Sequence, residues 1–453
     1  MHRTLLAAAV VTLLPGAILA QPRILRTEAG AQFLFYEVTP VPTSNDSSEA
    51  RIDVHYRIDS EFFVPVKQTE SSAAQPFHRR GEILAEMIDS TGIVASRAMQ
   101  SIDIPEQNAD RRPMGNEWTQ GILSIFVPYG TYRVQLTVDD LESRRTFMDS
   151  SHVVRTAPRG ASGLSTASIF LVASPPTRDS MPSHITPMNY GGEILFGQPS
   201  ALLIAWESTA AAESLLTVNV QFTVTPPSPE DQALIPPAEK VQVKVYRGAA
   251  LDESPESTDY EVVAAGKGRS PCLALVPLPT AKLLLRNYTM KVTLEAGSGS
   301  REIERRSRAV WPDMPFSLKD VDYALEVLKY ITTEQQLDSL RRGNLEERKR
   351  NLEGFWRSKA EEHASAYNEI MTEYYRRVDY AVRNFGTLRQ PDGFHSDRGR
   401  IYILYGPPTS TDRTLDPNEG FQEIWVYERL KKRFTFVDQN KSGNYVLQSA
   451  TSL

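Results

Sequence analysis

Two hydrophobic patterns divide the chain. From Ala31 to about Arg308, apolar and polar residues alternate; from Trp311 onward they recur at the wider spacing of a helix. In Arg51–Asp59 the alternation is unbroken: Ile52, Val54, Tyr56 and Ile58 form one row, and Asp53, His55, Arg57 and Asp59 the other. That pattern predicts a half-buried strand of an antiparallel sheet, with His55 in the row that faces water. Strands are expected at 61–66, 81–88, 121–127 and 131–138, with Pro128-Tyr129-Gly130 as the turn between the last two. A second set follows from Ala167, marked by Val218, Val220, Phe222 and Val224, by Val241, Val243 and Val245, and by Tyr288, Met290, Val292 and Leu294. Short strands at this spacing predict two antiparallel β-sandwiches of immunoglobulin-like size, residues 31–156 and 167–308. The small, polar stretch 157–166 reads as the linker between them. The Pro-rich, acidic stretch 226–240 reads as an exposed loop. Cys272 lies in an apolar run, so it is expected to be a buried thiol.

After Trp311 the predicted elements are helices. Ser317 is placed to cap one whose stripe is Leu318, Val321, Leu325 and Leu328. A short helix over 333–341 is closed by Gly343, and Asn344 with Glu347 reads as the capping box of the next. The longest helix is expected over 364–385 and ends at Gly386. Asp392-Gly393 then reads as a turn, with the glycine at positive φ. Arg400–Tyr405 is rich in β-branched and aromatic residues, apolar on both faces, and followed by Gly406-Pro407-Pro408; this predicts a central strand. Further strands are expected at 423–427, 434–438 and 445–447, with Ser442-Gly443-Asn444 as a hairpin turn. Residues 311–453 thus read as an α+β domain, helices first and then a small antiparallel sheet.

The stretch Gly393-Phe394-His395-Ser396-Asp397-Arg398-Gly399-Arg400 and its continuation to Pro408 resembles the signature of the GWxTD domain family, found in bacterial extracytoplasmic proteins. Gly393 and Asp397 match the motif; Phe394 stands where the family has Trp, and Ser396 where it has Thr. The similarity extends upstream through Glu346-Glu347-Arg348, Phe355-Trp356, Asn368-Glu369, Glu373-Tyr374, Arg377-Val378 and Tyr380-Ala381, so it covers about the last third of the chain. The family implies sandwich-like modules ahead of the domain and carries no assigned reaction.

Composition narrows the function classes. The chain has 453 residues, enough for about three domains, and a net charge of -6, which argues against nucleic acid or an anionic membrane as a general partner. His2 and Arg3, the apolar run Leu5–Leu14 and the break at Pro15-Gly16 read as a secretory signal, residues 1–20, cut after Ala20. That run is too short to span a bilayer, and no other stretch is long enough, so no transmembrane segment is expected after cleavage. A periplasmic or secreted location follows. With Cys272 as the only cysteine, no internal disulfide can form.

No His-Glu-x-x-His, P-loop, Gly-x-Ser-x-Gly or Cys-x-x-Cys motif is present, and the seven histidines are scattered, so neither a metal site nor a cofactor is expected. The candidate site is the motif loop and its partners: Gly393, Phe394, His395, Ser396, Asp397, Arg398, Arg400, Glu423 and Trp425. The bland reading of these charges is an Asp that caps a turn and an Arg that pairs with a carboxylate. The leading function is a binding or scaffolding protein whose C-terminal domain engages a protein or an envelope polymer. The alternative is an extracytoplasmic hydrolase, with acid and base drawn from His395, Asp397 and Glu423 and an anion held by Arg398 or Arg400.

Overall fold

The computed structural model describes residues 23–453 apart from 27–31, 44–47, 68–75, 107–117, 159–160, 162, 174–179, 209–213, 255–256, 267–269, 298, 360–365, 388–389, 417–419 and 440–441. The expected signal segment, its cleavage point and His363 lie outside the described residues. The described residues are mostly β, with 50% in strands and 22% in helices, and the chain divides into two compact units, 1–310 and 311–453. No helix among the described residues is long and apolar enough to cross a membrane.

In the first unit, the strands Arg23–Arg26, Gln32–Val41, Glu49–Asp59 and Trp118–Pro128 form one antiparallel sheet. A second sheet joins Pro65–Lys67, Phe77–Ile88, Thr131–Asp140 and Thr146–Arg155, with Val94–Glu106 along the free side of Phe77–Ile88. The two share one core: Leu34, Tyr36, Val54, Tyr56 and Ile58 of the first pack with Ile83, Met87, Val134, Leu136 and Val138 of the second. The segment expected as a strand at 61–66 instead opens with a 3-10 turn, Ser60–Phe62, because the Asp59 carboxylate accepts the Glu61 N–H and bends the chain.

Among the described residues, 168–310 add three further sheets, antiparallel except where Ile194–Leu195 runs parallel to Gly299–Val310. Cys272 is buried, and burial pushes its thiol up from the ordinary value. The expected exposed loop at 226–240 contains one helical turn, Pro229–Gln232, capped by Ser228.

His55 corrects the reading of the Arg51–Asp59 strand. The first half of its row is buried, with Asp53 at 0% and His55 at 2% exposure, because Phe170 and Tyr260 cover that part of the second face; Arg57 and Asp59 are half-buried. Arg51 holds Asp53 through two bonds of 2.8 Å and donates to the Leu251 carbonyl. The Tyr260 hydroxyl donates to Asp53 and lies 2.6 Å from His55 Nε2. Burial alone would raise the Asp53 carboxyl; the Arg51 guanidinium beside it holds it below its ordinary value. Burial lowers His55, so its ring is kept neutral. A second set pairs buried Arg305 with buried Glu37 at 2.8 Å and half-buried Arg308 with buried Glu193 at 3.5 Å. Burial pushes the Glu193 carboxyl up to about 7, against the pull of Arg308 and Arg305.

The second unit opens with helices, as the spacing predicts. The first is short: Asp320, not Ser317, caps Val321–Glu326 by accepting the Asp322 and Tyr323 N–H groups, and the chain tightens into a 3-10 turn at Val327–Tyr330. Ser317 is buried, and its hydroxyl donates to the Tyr375 carbonyl. Thr333 and Asn344 both form capping boxes, ahead of Glu334–Leu340 and Leu345–Arg357. The longest helix is Glu369–Phe385, started by the Asn368 cap. Four antiparallel strands in sequence order, Ser410–Asp416, Gly420–Tyr427, Lys432–Asp438 and Val446–Ser452, complete the unit. Helices and sheet share a core containing Leu325, Trp356, Tyr375, Val378, Phe394, Ile401, Trp425 and Phe436.

The segment expected as a central strand, Arg400–Tyr405, is helical. Asp397–Tyr405 forms the last helix, with Ser396 as its N-cap and Gly406 at φ 79° as its C-cap. An apolar run of this length fits either element, and the two ends decide. A serine before it and a glycine followed by prolines after it are helix punctuation.

Candidate functional site

The motif residues build a lock between the end of the longest helix, the last helix and the last strand. Gly393–His395 is a single 3-10 turn. Its cap, Asp392, accepts the Phe394 N–H with one oxygen and the Tyr323 hydroxyl with the other. Gly393 is not at positive φ, contrary to the turn reading. It is glycine because a Cβ there would overlap the Ala381 carbonyl oxygen and the backbone at Phe385–Gly386. Gly399 faces the same crossing, where a Cβ would strike the Gly393 carbonyl oxygen. Phe394 is fully buried, edge-on to Tyr323 and Tyr330.

Ser396 makes two bonds: its hydroxyl donates to the Gly393 carbonyl at 2.7 Å and accepts the Gly399 N–H at 3.0 Å. Asp397 accepts from Arg400 Nη2 at 3.1 Å and from the Leu447 N–H at 2.8 Å, which ties the last helix to the last strand.

Arg398 turns inward. Its guanidinium donates to Glu423 Oε2 at 3.1 Å and to the Gly443 carbonyl at 3.3 Å, and it sits 4.1 Å from the centre of the Tyr445 ring. Burial lowers its pKa from the ordinary value, and Glu423 opposes that shift. Glu423, only 2% exposed, also accepts the Trp425 indole N–H at 2.7 Å and lies 3.3 Å from Arg413 Nε. This carboxylate has three donors converging on it, the arrangement expected of a buried counter-ion. His395 stands apart: Nδ1 is 2.9 Å from Lys329 Nζ, and Nε2 is 3.5 Å from Glu326 Oε1. His395, Asp397 and Glu423 therefore belong to three separate hydrogen-bond networks.

Beside the Glu423 carboxylate an open groove of about 470 Å³ is lined by Tyr380, Phe385, Tyr402, Pro408, Thr411, Arg413, Glu423 and Trp425. Tyr380 and Tyr402 stack with ring centres 4.3 Å apart and planes 14° from parallel. Tyr380 is 41% exposed, and the Arg413 side chain is 72% exposed at the rim. Of the residues singled out in the sequence, Glu423 and Trp425 line this groove; the rest of the motif supports it from below or lies elsewhere. Tyr380, Tyr402 and Arg413 were not singled out as a site. They come from the longest helix, the last helix and the first strand of the sheet, and nothing local in the sequence joins them. Among the described residues no group of three or more His, Cys, Asp or Glu is placed to hold a metal ion.

No curated protein matches the chain. Among solved structures, a family 123 glycoside hydrolase from Clostridium perfringens, determined in a study of glycolipid glycan hydrolysis, is similar at 11% identity and a TM-score of 0.16. The match covers 34% of this chain and 31% of that one, so the chain spans about a third of that structure. A likeness at this score carries no argument about fold or activity. The family model of the GWxTD domain matches residues 305–452. The C-terminal third of the chain is a GWxTD domain.

Proposed function

We propose that the GWxTD domain is a binding module that contacts its partner through the aromatic groove, in a protein that works outside the cytoplasm. On this reading two β-sandwich modules, residues 31–156 and 167–308, carry the domain, and the partner is a protein or an envelope polymer. One observation carries the proposal. The charged groups of the motif are bonded to one another and to backbone, whereas the open wall beside them is aromatic with an exposed arginine at its rim. A hydrolase built on His395, Asp397 and Glu423 would need those three to face one reacting bond, and their separate networks favour binding instead. Aromatic faces with a nearby guanidinium suit a ligand that presents flat or apolar surface together with a negative or hydroxyl group.

The test is recovery of bound material from envelope extract by full-length wild type, Tyr380→Ala and Arg413→Ala. Loss of the same bound species in both variants, with melting unchanged, supports the groove. Equal recovery by all three proteins overturns it.

A further inference from the structure

A further cluster of ionisable side chains in the C-terminal unit lies outside the groove. The Val321–Glu326 helix runs directly into the Val327–Tyr330 turn, which brings Glu326 and Lys329 alongside His395 of the motif. The order is amine, imidazole, carboxylate: Lys329 Nζ is 2.9 Å from His395 Nδ1, and His395 Nε2 is 3.5 Å from Glu326 Oε1. A nucleophile within reach of a base, which a third group orients, is the arrangement that activates weak nucleophiles. The ammonium group also lies over the Phe394 ring at 4.3 Å and the Tyr330 ring at 5.1 Å. Partial burial lowers the Lys329 pKa; Glu326 and Asp392 pull the other way without cancelling it. The cluster is reachable from solvent, with the His395 side chain 34% and the Glu326 side chain 41% exposed.

We infer that Lys329 is a nucleophilic amine that captures an aldehyde as an imine, with His395 carrying the proton and Glu326 positioning His395. Lys329 Nζ first gives its proton to His395 Nδ1, leaving an imidazolium whose Nε2–H faces the Glu326 carboxylate. The freed nitrogen lone pair attacks the carbonyl carbon; the N–C bond forms, the C=O π pair moves to oxygen, and a proton passes from nitrogen to that oxygen. The hydroxyl then leaves as water, taking the proton back from His395 Nδ1, as the nitrogen lone pair closes the C=N bond. Ammonium and aldehyde thus become protonated imine and water, with no oxidant or reductant consumed. The reaction asks the protein for one group that takes a proton and then returns it, and the imidazole beside the amine is that group. This capture is independent of the groove.

The test uses the full-length protein with propionaldehyde and cyanoborohydride at neutral pH. The hydride traps each imine as a secondary amine, and labelled lysines are followed over time by peptide mass spectrometry. Lys329 is expected to label severalfold faster than Lys319, Lys349 and Lys359, since the imidazole 2.9 Å from its amine takes up the proton. Lys359 controls for the aromatic contact, because it lies over the Phe355 ring at 5.7 Å. His395→Gln is expected to bring Lys329 down to the rate of the controls. Glu326→Gln is expected to slow it severalfold and to shift the pH-rate profile at Lys329 but not at Lys359. Labelling of Lys329 no faster than the controls overturns the inference, and so does fast labelling that survives His395→Gln in a folded protein. Should His395→Gln fail to fold, an unchanged rate and pH profile in Glu326→Gln overturns it equally.

Discussion

Replacing Glu423 with glutamine keeps the shape of the side chain and removes its charge, which isolates the counter-ion role. The carboxylate accepts from Arg398 at 3.1 Å and from Trp425 at 2.7 Å, and its side chain is 3% exposed. A glutamine has one acceptor oxygen. If that oxygen faces Arg398, its amide NH2 meets the indole N–H, donor against donor; if it faces Trp425, the NH2 meets the guanidinium. Either way one buried donor loses its acceptor, which costs about 1–3 kcal/mol. Arg398 also loses its counter-ion while 8% exposed, and breaking a buried pair from one side costs about 3–5 kcal/mol in total. Arg413 adds little, because its side chain is 72% exposed and the pair is screened. The expected loss is about 3–4 kcal/mol from the C-terminal unit. It is read by guanidinium titration of the full chain, with hydrogen exchange followed in peptides from residues 369–405. Arg398→Met alone should also destabilise, and the double variant should cost less than the sum, since neither charge is then left alone. A Glu423→Gln loss below about 0.5 kcal/mol, or strict additivity in the double variant, refutes the counter-ion role.

Three further outcomes are expected. Gly393→Ala should cost about 3 kcal/mol or more, because its Cβ would meet backbone rather than a movable side chain; a melt within error of wild type would refute the close approach. Asp397→Asn should cost about 1–2 kcal/mol, since an amide oxygen can keep the Leu447 N–H but not the charge-assisted bond to Arg400; an unchanged denaturation midpoint rejects that. Glu193 titrates near 7 when folded, above its ordinary 4.5, so the stability it contributes is full below pH 4.5 and is lost as pH rises through 7. Between pH 5 and 8, wild type should therefore lose about 2 kcal/mol relative to Glu193→Gln, and parallel stability curves would contradict it.

What was legible in the sequence was local. The capping box at Asn344 and Glu347 needs only residues three apart, and it stands as read. The alternating rows of Val218–Val224 and Tyr288–Leu294 are strands for the same reason; that they pair with each other is a tertiary outcome. Misreadings arose where a distant segment sets the environment. The polar row of Asp53 and His55 looked wet until Phe170 and Tyr260, more than a hundred residues away, closed over it. Arg400–Tyr405 looked like a strand because both faces are apolar; in the fold a short helix is buried between the longest helix and the sheet, so both faces are still used. The groove was illegible, because Tyr380, Tyr402 and Arg413 meet only through tertiary packing.

The two glycines that cross at the motif, Gly393 and Gly399, have a consequence for how the signature transmits information. Backbone passes backbone there with no room for a methyl group, so four of the five motif positions are answerable to geometry: a glycine for clearance, an aromatic for the core, a hydroxyl for the cap and a carboxylate for the last strand. The fifth, His395, is the position that the family's name leaves as x, and it alone sends its side chain to a neighbour that the lock does not require. Inheritance of the signature then passes on a shape and stays silent about chemistry. Two chains can share every constrained letter and still differ in what they do, through the one letter left unwritten.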